Sequence, residues 1–162
     1  MNASVSELFG ESDPRNMPPH FFGEALWIYF DTALAADASK QNYSTCPRYW
    51  YVDARLRCRR CEKKFTFAAE EQRNWYEVLG FYVDSWPRRC QECRRALREE
   101  KRLRQEYDRD IATALRGHDL ALKERLAEIV DTLCEAGVEL PEGIHENRRT
   151  LGKQIDRLRR IP

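Results

Sequence analysis

Two Cys-x-x-Cys pairs, Cys58-Arg59-Arg60-Cys61 and Cys90-Gln91-Glu92-Cys93, constrain this chain more than any other feature. Each pair presents two thiolates from one tight turn. Together they supply four soft ligands, the set that a tetrahedral structural Zn²⁺ site takes. The 28 residues between the pairs exceed the roughly 15–20 of the commonest paired spacing. A small element must therefore be inserted between the two turns. Cys58, Cys61, Cys90 and Cys93 are the expected metal ligands, and Zn²⁺ the expected cofactor.

Competing uses of these cysteines fit less well. Disulfides belong to oxidising compartments, but residues 1–20 have neither a basic start nor an apolar centre and do not read as secretory. No apolar run approaches the ~18 residues of a membrane span, so a cytoplasmic protein without membrane contact is expected. A thioredoxin-like redox site needs one Cys-x-x-Cys after a strand in a βαβ unit, and two Arg-rich copies do not suit it. Catalysis is not expected either. Four thiolates leave no open coordination position for an activated water, and no phosphate-binding glycine loop, nucleophile elbow or deaminase signature is present.

Charge is unevenly spread. Residues 46–104 carry 16 Lys/Arg and 9 Asp/Glu, while the rest carries 12 Lys/Arg and 18 Asp/Glu. A basic middle between acidic flanks marks either an anion-binding face or flanks that fold back on the middle.

Four segments follow. Residues 1–20, rich in Ser, Asn, Asp and Pro, read as a flexible arm or extended strap. Residues 21–45 read as an N-terminal helix and linker, because Leu26, Trp27, Phe30 and Leu34 recur at helical spacing. Residues 46–93 form the metal module. There Tyr49 to Val52 and Phe65 to Phe67 suit short strands, 69–79 reads as a helix stopped at Gly80, and Phe81 to Val83 suits another short strand. Ten of the chain's 18 aromatics fall in this module. Alternating and helical spacing favours a ring-built core over a base-stacking surface. Residues 94–162 form a helical extension. A helix from Arg94 to about Leu115 ends at Gly117. A second, capped by Asp119, carries the stripe Leu122, Leu126, Ile129, Val130 and Leu133. A third, about 143–160, carries Ile144, Leu151, Ile155 and Leu158. Such stripes must be buried, so a helical hairpin is expected. The fold class is α+β and mostly helical.

The module resembles the probable zinc-ribbon family of bacterial proteins. The resemblance rests on Tyr51-Val52-Asp53, Cys58-Arg59-Arg60-Cys61 and Phe65-Thr66-Phe67. It continues through the run Ala69 to Glu77, Gly80-Phe81, and Arg88 to Arg94. It implies zinc binding through Cys58, Cys61, Cys90 and Cys93, with no particular reaction or partner. Cys46 falls outside the paired pattern and is expected to be a free thiol. Cys134 follows Leu133 in an apolar pattern and is expected in a core.

Two functions are compatible with this pattern. Arg88, Arg89, Arg94, Arg95, Arg98 and Arg102 can neutralise the phosphates of a nucleic acid, although Glu92, Glu99, Glu100 and Glu106 interleave with them as in an ion-paired helix face. Alternatively, the C-terminal helices serve as a protein-interaction or structural adaptor. An open arginine face favours the first; an exposed apolar stripe favours the second.

Overall fold

A computed structural model describes residues 9–160. The chain divides into two compact units, Met1–Cys93 and Arg94–Pro162.

The first unit is built on a three-stranded antiparallel sheet in the order β1 (Trp27–Ala35), β2 (Trp50–Arg57), β3 (Lys64–Phe67). β1 corrects the expectation of a helix over 21–36. Its Trp, Ile, Tyr, Phe and Thr are strand formers, and pairing with β2 overrides the helical spacing of four apolar residues. Two of those four, Leu26 and Trp27, are exposed rather than buried. The register Trp27↔Arg55, Ile28↔Ala54 and Tyr29↔Asp53 breaks at a bulge before Leu34↔Tyr51.

β2 is the central strand and is buried on both faces at its start. Tyr51 packs in a cluster with Phe67 and Tyr76, whereas Val52 packs with Met17, Phe21 and Val83. Met17 and Phe21 therefore belong to the core, and the Trp50 indole donates to the Gly10 carbonyl at 3.0 Å. Residues 1–20 are expected as a flexible arm or extended strap; over residues 9–20 the chain is a strap held against the sheet, and residues 1–8 lie outside the described residues.

The inserted element is α1 (Ala69–Arg73), continued by a π-helical turn, Asn74–Val78. Two side chains from the motif fix it to the sheet. Asp53 Oδ1 accepts the Ala69 N–H at 2.7 Å, capping the helix from the neighbouring strand. Gln72 Nε2 donates to the Val52 and Phe67 carbonyls at 2.6 and 2.9 Å. Gly80 follows with φ +67°, the left-handed conformation that ends the helix. The strand expected at 81–83 is reduced to a single bridge between Asn42 and Tyr82, because the chain there is tethered to a loop rather than to a strand.

Arg48 organises the aromatics. Its side chain is only 1 % exposed, with the guanidinium carbon 4.8, 5.0 and 5.2 Å from the ring centres of Phe21, Tyr76 and Trp86. Nε donates to the Val83 carbonyl at 2.6 Å. Burial lowers the arginine's pKa, while Tyr76 and Asp84 oppose the shift. The ring faces replace part of the lost hydration of this cation. Phe67 meets Trp75, Tyr76 and Trp86 edge-on at 4.9–6.5 Å. The aromatics of the module are thus largely core, as their spacing suggests.

The second unit takes its core from α2 (Gln91–Arg116), α3 (Leu120–Glu135) and α4 (Glu142–Arg159). Asp119 caps α3 by accepting the Leu122 N–H at 3.0 Å. α3 and α4 form the expected hairpin, and Leu103, Tyr107 and Ala114 of α2 join Leu126, Ile129, Val130, Leu133, Leu151 and Ile155 in one cluster. Lys123 is buried there, donating to the Ala114 carbonyl and to Gln154. Cys134, expected in this core, is exposed; it shares the side of Val130 and Ala127 but lies in the last turn of α3, at the end of the buried stripe. No helix among the described residues is long and apolar enough to cross a membrane.

Arg48→Ala should destabilise the first unit by about 3 kcal/mol or more, because it empties a ring-lined space and orphans the Val83 carbonyl. Thermal unfolding compared with Arg48→Lys, which keeps charge but loses planarity, measures this. A Tm unchanged in both variants contradicts the role assigned to Arg48.

Candidate metal centre

The first cysteine pair sits on the turn between β2 and β3. The Cys58 N–H donates to the Lys63 carbonyl and the Glu62 N–H to the Cys58 carbonyl, both at 2.9 Å. Closing so tight a loop puts Glu62 at φ +59°, a left-handed conformation that a side chain resists. The second pair opens α2: Cys90 directly precedes the helix and Cys93 lies in its first turn. The two turns are joined by the Arg59 N–H, which donates to the Arg88 carbonyl at 2.9 Å.

These elements bring together all four predicted ligands. The sulfurs of Cys58, Cys61, Cys90 and Cys93 lie within 4.8 Å of one another, the only such group of metal-ligating atoms among the described residues. Bonds of about 2.3 Å from a tetrahedral zinc place its sulfurs about 3.8 Å apart, and Cys61 Sγ and Cys90 Sγ are 3.8 Å apart. That separation is far from the ~2.05 Å of a disulfide. The donor set and its spacing fit one tetrahedral ion.

Local electrostatics point the same way. Burial opposes ionisation of Cys58. The N–H donors of Cys61, Cys90 and Arg60 outweigh it and lower its pKa to about 6; Arg60 N stands 3.4 Å from Cys58 Sγ. Cys93 behaves oppositely: burial, reinforced by hydrogen bonding to the other three cysteines and by the charge on Cys58, pushes its pKa up to about 12. Four thiolates at this spacing repel one another, and a dication is what allows all four to ionise. The positive end of α2, a 26-residue helix, adds a smaller attraction for the thiolates at its start.

The remaining cysteines stand apart. Cys46 is buried with Met17, Phe21, Val52 and Val83. Burial, with a smaller effect of Asp84, raises its pKa. It is a free thiol, as expected, and so is Cys134.

Residues 52–102 match a family described as a probable treble clef domain. The expected resemblance to a two-pair zinc domain is borne out, with one structural refinement. The second pair is carried by a helix N-terminus rather than by a second hairpin. No curated protein and no solved structure matches the chain.

The six predicted phosphate-binding arginines divide. Arg102 is held by Glu99 at 2.6 Å and Glu106 at 3.2 Å. Arg94 is half-buried and engaged. Arg88, Arg89, Arg95 and Arg98 are exposed, and none forms a salt bridge among the described residues. Arg88 and Arg89 belong to the first unit, Arg95 and Arg98 to the second. On the other turn Arg59 is clamped to Glu24 at 2.6 and 2.8 Å. The sequence reading missed Arg48 and the exposed Trp27; a run of strand formers around Trp27 was the available signal.

The double variant Cys58→Ser/Cys90→Ser should bind no zinc and lose the fold of the first unit, whereas Cys46→Ser should keep one zinc per chain. Elemental analysis after gel filtration distinguishes these outcomes. Protons compete for the thiolates, so the holoprotein should release zinc on acidification. A metal-sensitive dye follows the release.

Proposed function

We propose that Cys58, Cys61, Cys90 and Cys93 hold one Zn²⁺ as a structural, non-catalytic centre, and that the basic turns around it bind nucleic acid. With all four positions taken by thiolates, the ion has no open position for substrate or water. Its contribution is folding energy: it ties the β2–β3 turn to the start of α2.

One observation carries the nucleic-acid reading. Arg88 and Arg89 on one turn, and Arg60, Lys63 and Lys64 on the other, are exposed and without salt bridges among the described residues. In the second unit carboxylates claim several arginines, Arg125 binding Glu106, Arg148 binding Asp131 and Arg159 binding Glu124, while Arg95 and Arg98 there carry no salt bridge among the described residues. Uncompensated charge that costs stability through repulsion is explained by a polyanion that neutralises it. The adaptor reading loses its stated surface, because the stripes of α3 and α4 face their own core.

The holoprotein should bind a labelled oligonucleotide with an affinity that falls steeply with salt. Arg88→Gln/Arg89→Gln should flatten the log–log slope by about 1.5–2 and leave zinc content unchanged. Fluorescence polarisation between about 50 and 200 mM salt measures both. Affinity in the non-specific range of roughly 10⁻⁴–10⁻⁶ M, indifferent to these substitutions, overturns the reading.

A further inference from the structure

The sheet of the first unit has an outer face that its helix covers at one end only. Antiparallel partners share a face. On that face Tyr51 packs with Tyr76 beyond α1, and Asp53 is engaged with the Ala69 N–H. Away from α1, the register places Trp27 of β1 beside Arg55 of β2 and Thr66 of β3, with Arg57 beside Lys64 in the next row. Arg55 Nη1 reaches Thr66 Oγ1 at 3.4 Å, which confirms the shared side. The residues between them, Ile28, Ala54, Leu56 and Phe65, turn inward and are buried or half-buried.

This open area combines two kinds of group. Trp27 is 65 % exposed and Tyr29 36 %. Neither ring meets another ring or a guanidinium among the described residues. Arg55, Arg57 and Lys64 supply three cations without a salt bridge among the described residues, and Asp53, on the same face, is already bonded to backbone. Arg57 also lines a cleft of about 580 Å³ with Arg59, Arg88, Glu24 and Asp84; Glu24 there is taken by Arg59, and the face adjoins the first turn of the metal centre within the same unit.

We infer that this face is a platform for single-stranded nucleic acid, on which Trp27 and Tyr29 stack bases while Arg55, Arg57 and Lys64 take the phosphates between them. A duplex hides its base faces and cannot use the rings. A single strand offers π-faces and phosphates together, and stacking does not depend on which base is present. A protein partner of acidic character would satisfy the cations but leave the rings without a planar group. The inference shares its ligand class and Lys64 with the proposed function, but it turns on Trp27, Tyr29, Arg55 and Arg57, which that reading does not use.

The zinc-loaded full chain is titrated with a labelled single strand of about 12 nucleotides and with the duplex of the same sequence, followed by polarisation. The wild type should prefer the single strand. Trp27→Ala should weaken single-strand binding roughly 5- to 100-fold, the range for losing one stacked base, and leave duplex binding unchanged. Trp27→Phe should restore most of the loss. Arg55→Gln/Arg57→Gln should flatten the single-strand salt slope by about 1.4. Trp27 is largely exposed, so circular dichroism and zinc content of its variants should match the wild type. Single-strand binding unchanged in Trp27→Ala, or weakened equally for duplex, overturns the platform. If binding is also lost in Arg88→Gln/Arg89→Gln, that outcome leaves the proposed function standing. No salt-dependent binding by the wild type overturns both.

Discussion

Mutual repulsion among four thiolates is the constraint on which the first unit depends. The sulfurs of Cys58, Cys61, Cys90 and Cys93 converge within 4.8 Å, a geometry that four anions adopt only around a cation. The opposed pKa shifts of Cys58 and Cys93 show the same frustration. A dication held there would turn this repulsion into a cross-link within a unit whose β3 is only four residues long. The surrounding backbone is arranged to allow it. Glu62 accepts a left-handed conformation, Arg59 and Arg88 join the two turns, and α2 begins where its positive end faces sulfur.

The sheet beside the centre solves a different problem, that of a small core. Its apolar clusters are few, and a buried guanidinium stands at the junction between them. Arg48 touches Phe21 from the strap, Tyr76 from the end of α1 and Trp86 from the approach to the second turn. One cation thus touches three separate pieces of chain, the last two of which are also joined by the Tyr76 hydroxyl donating to the Ser85 carbonyl and by the contacts of Phe67 with Tyr76 and Trp86. The second unit needs no such device. Its three helices bury complementary stripes, and Lys123 and Gln154 satisfy carbonyls at the end of α2.

Charge is used differently in the two units. In the second, several arginines on the helix surfaces are matched by carboxylates three or four residues away or on the next helix, such as Arg102 with Glu99 and Arg125 with Glu106. Exposed pairs of this kind contribute little each, about 0–1 kcal/mol, but they neutralise the surface. In the first unit Arg59 is clamped to Glu24, but Arg60, Lys63, Arg88 and Arg89 around the two turns and Arg55, Arg57 and Lys64 on the outer sheet face have no salt bridge among the described residues. This contrast, rather than the count of arginines, is what gives the functional reading its direction.

Local covalent pattern was enough for the metal centre, because Cys-x-x-Cys fixes two ligands within one turn whatever the rest of the fold does. Local periodicity was enough for α3 and α4, whose stripes mark the buried side, and for Asp119 and Gly80, whose conformational preferences act over a few residues. Residues 27–35 were different. Leu26, Trp27, Phe30 and Leu34 match a helix by spacing, and only pairing with β2, whose residues lie 15 to 28 positions away from their partners, makes the segment a strand and turns Trp27 outward. Cys134 was misplaced for a different reason: it shares the side of Val130 and Ala127, but in the last turn of α3 it stays exposed, because a periodic stripe does not say how far along the helix its cover extends. The buried place of Arg48 and the grouping of Trp27 with Arg55 and Arg57 depend on strand register and on contacts between distant segments. Only the tertiary structure decides those, because the energy that selects them comes from surfaces that do not meet until the chain has folded.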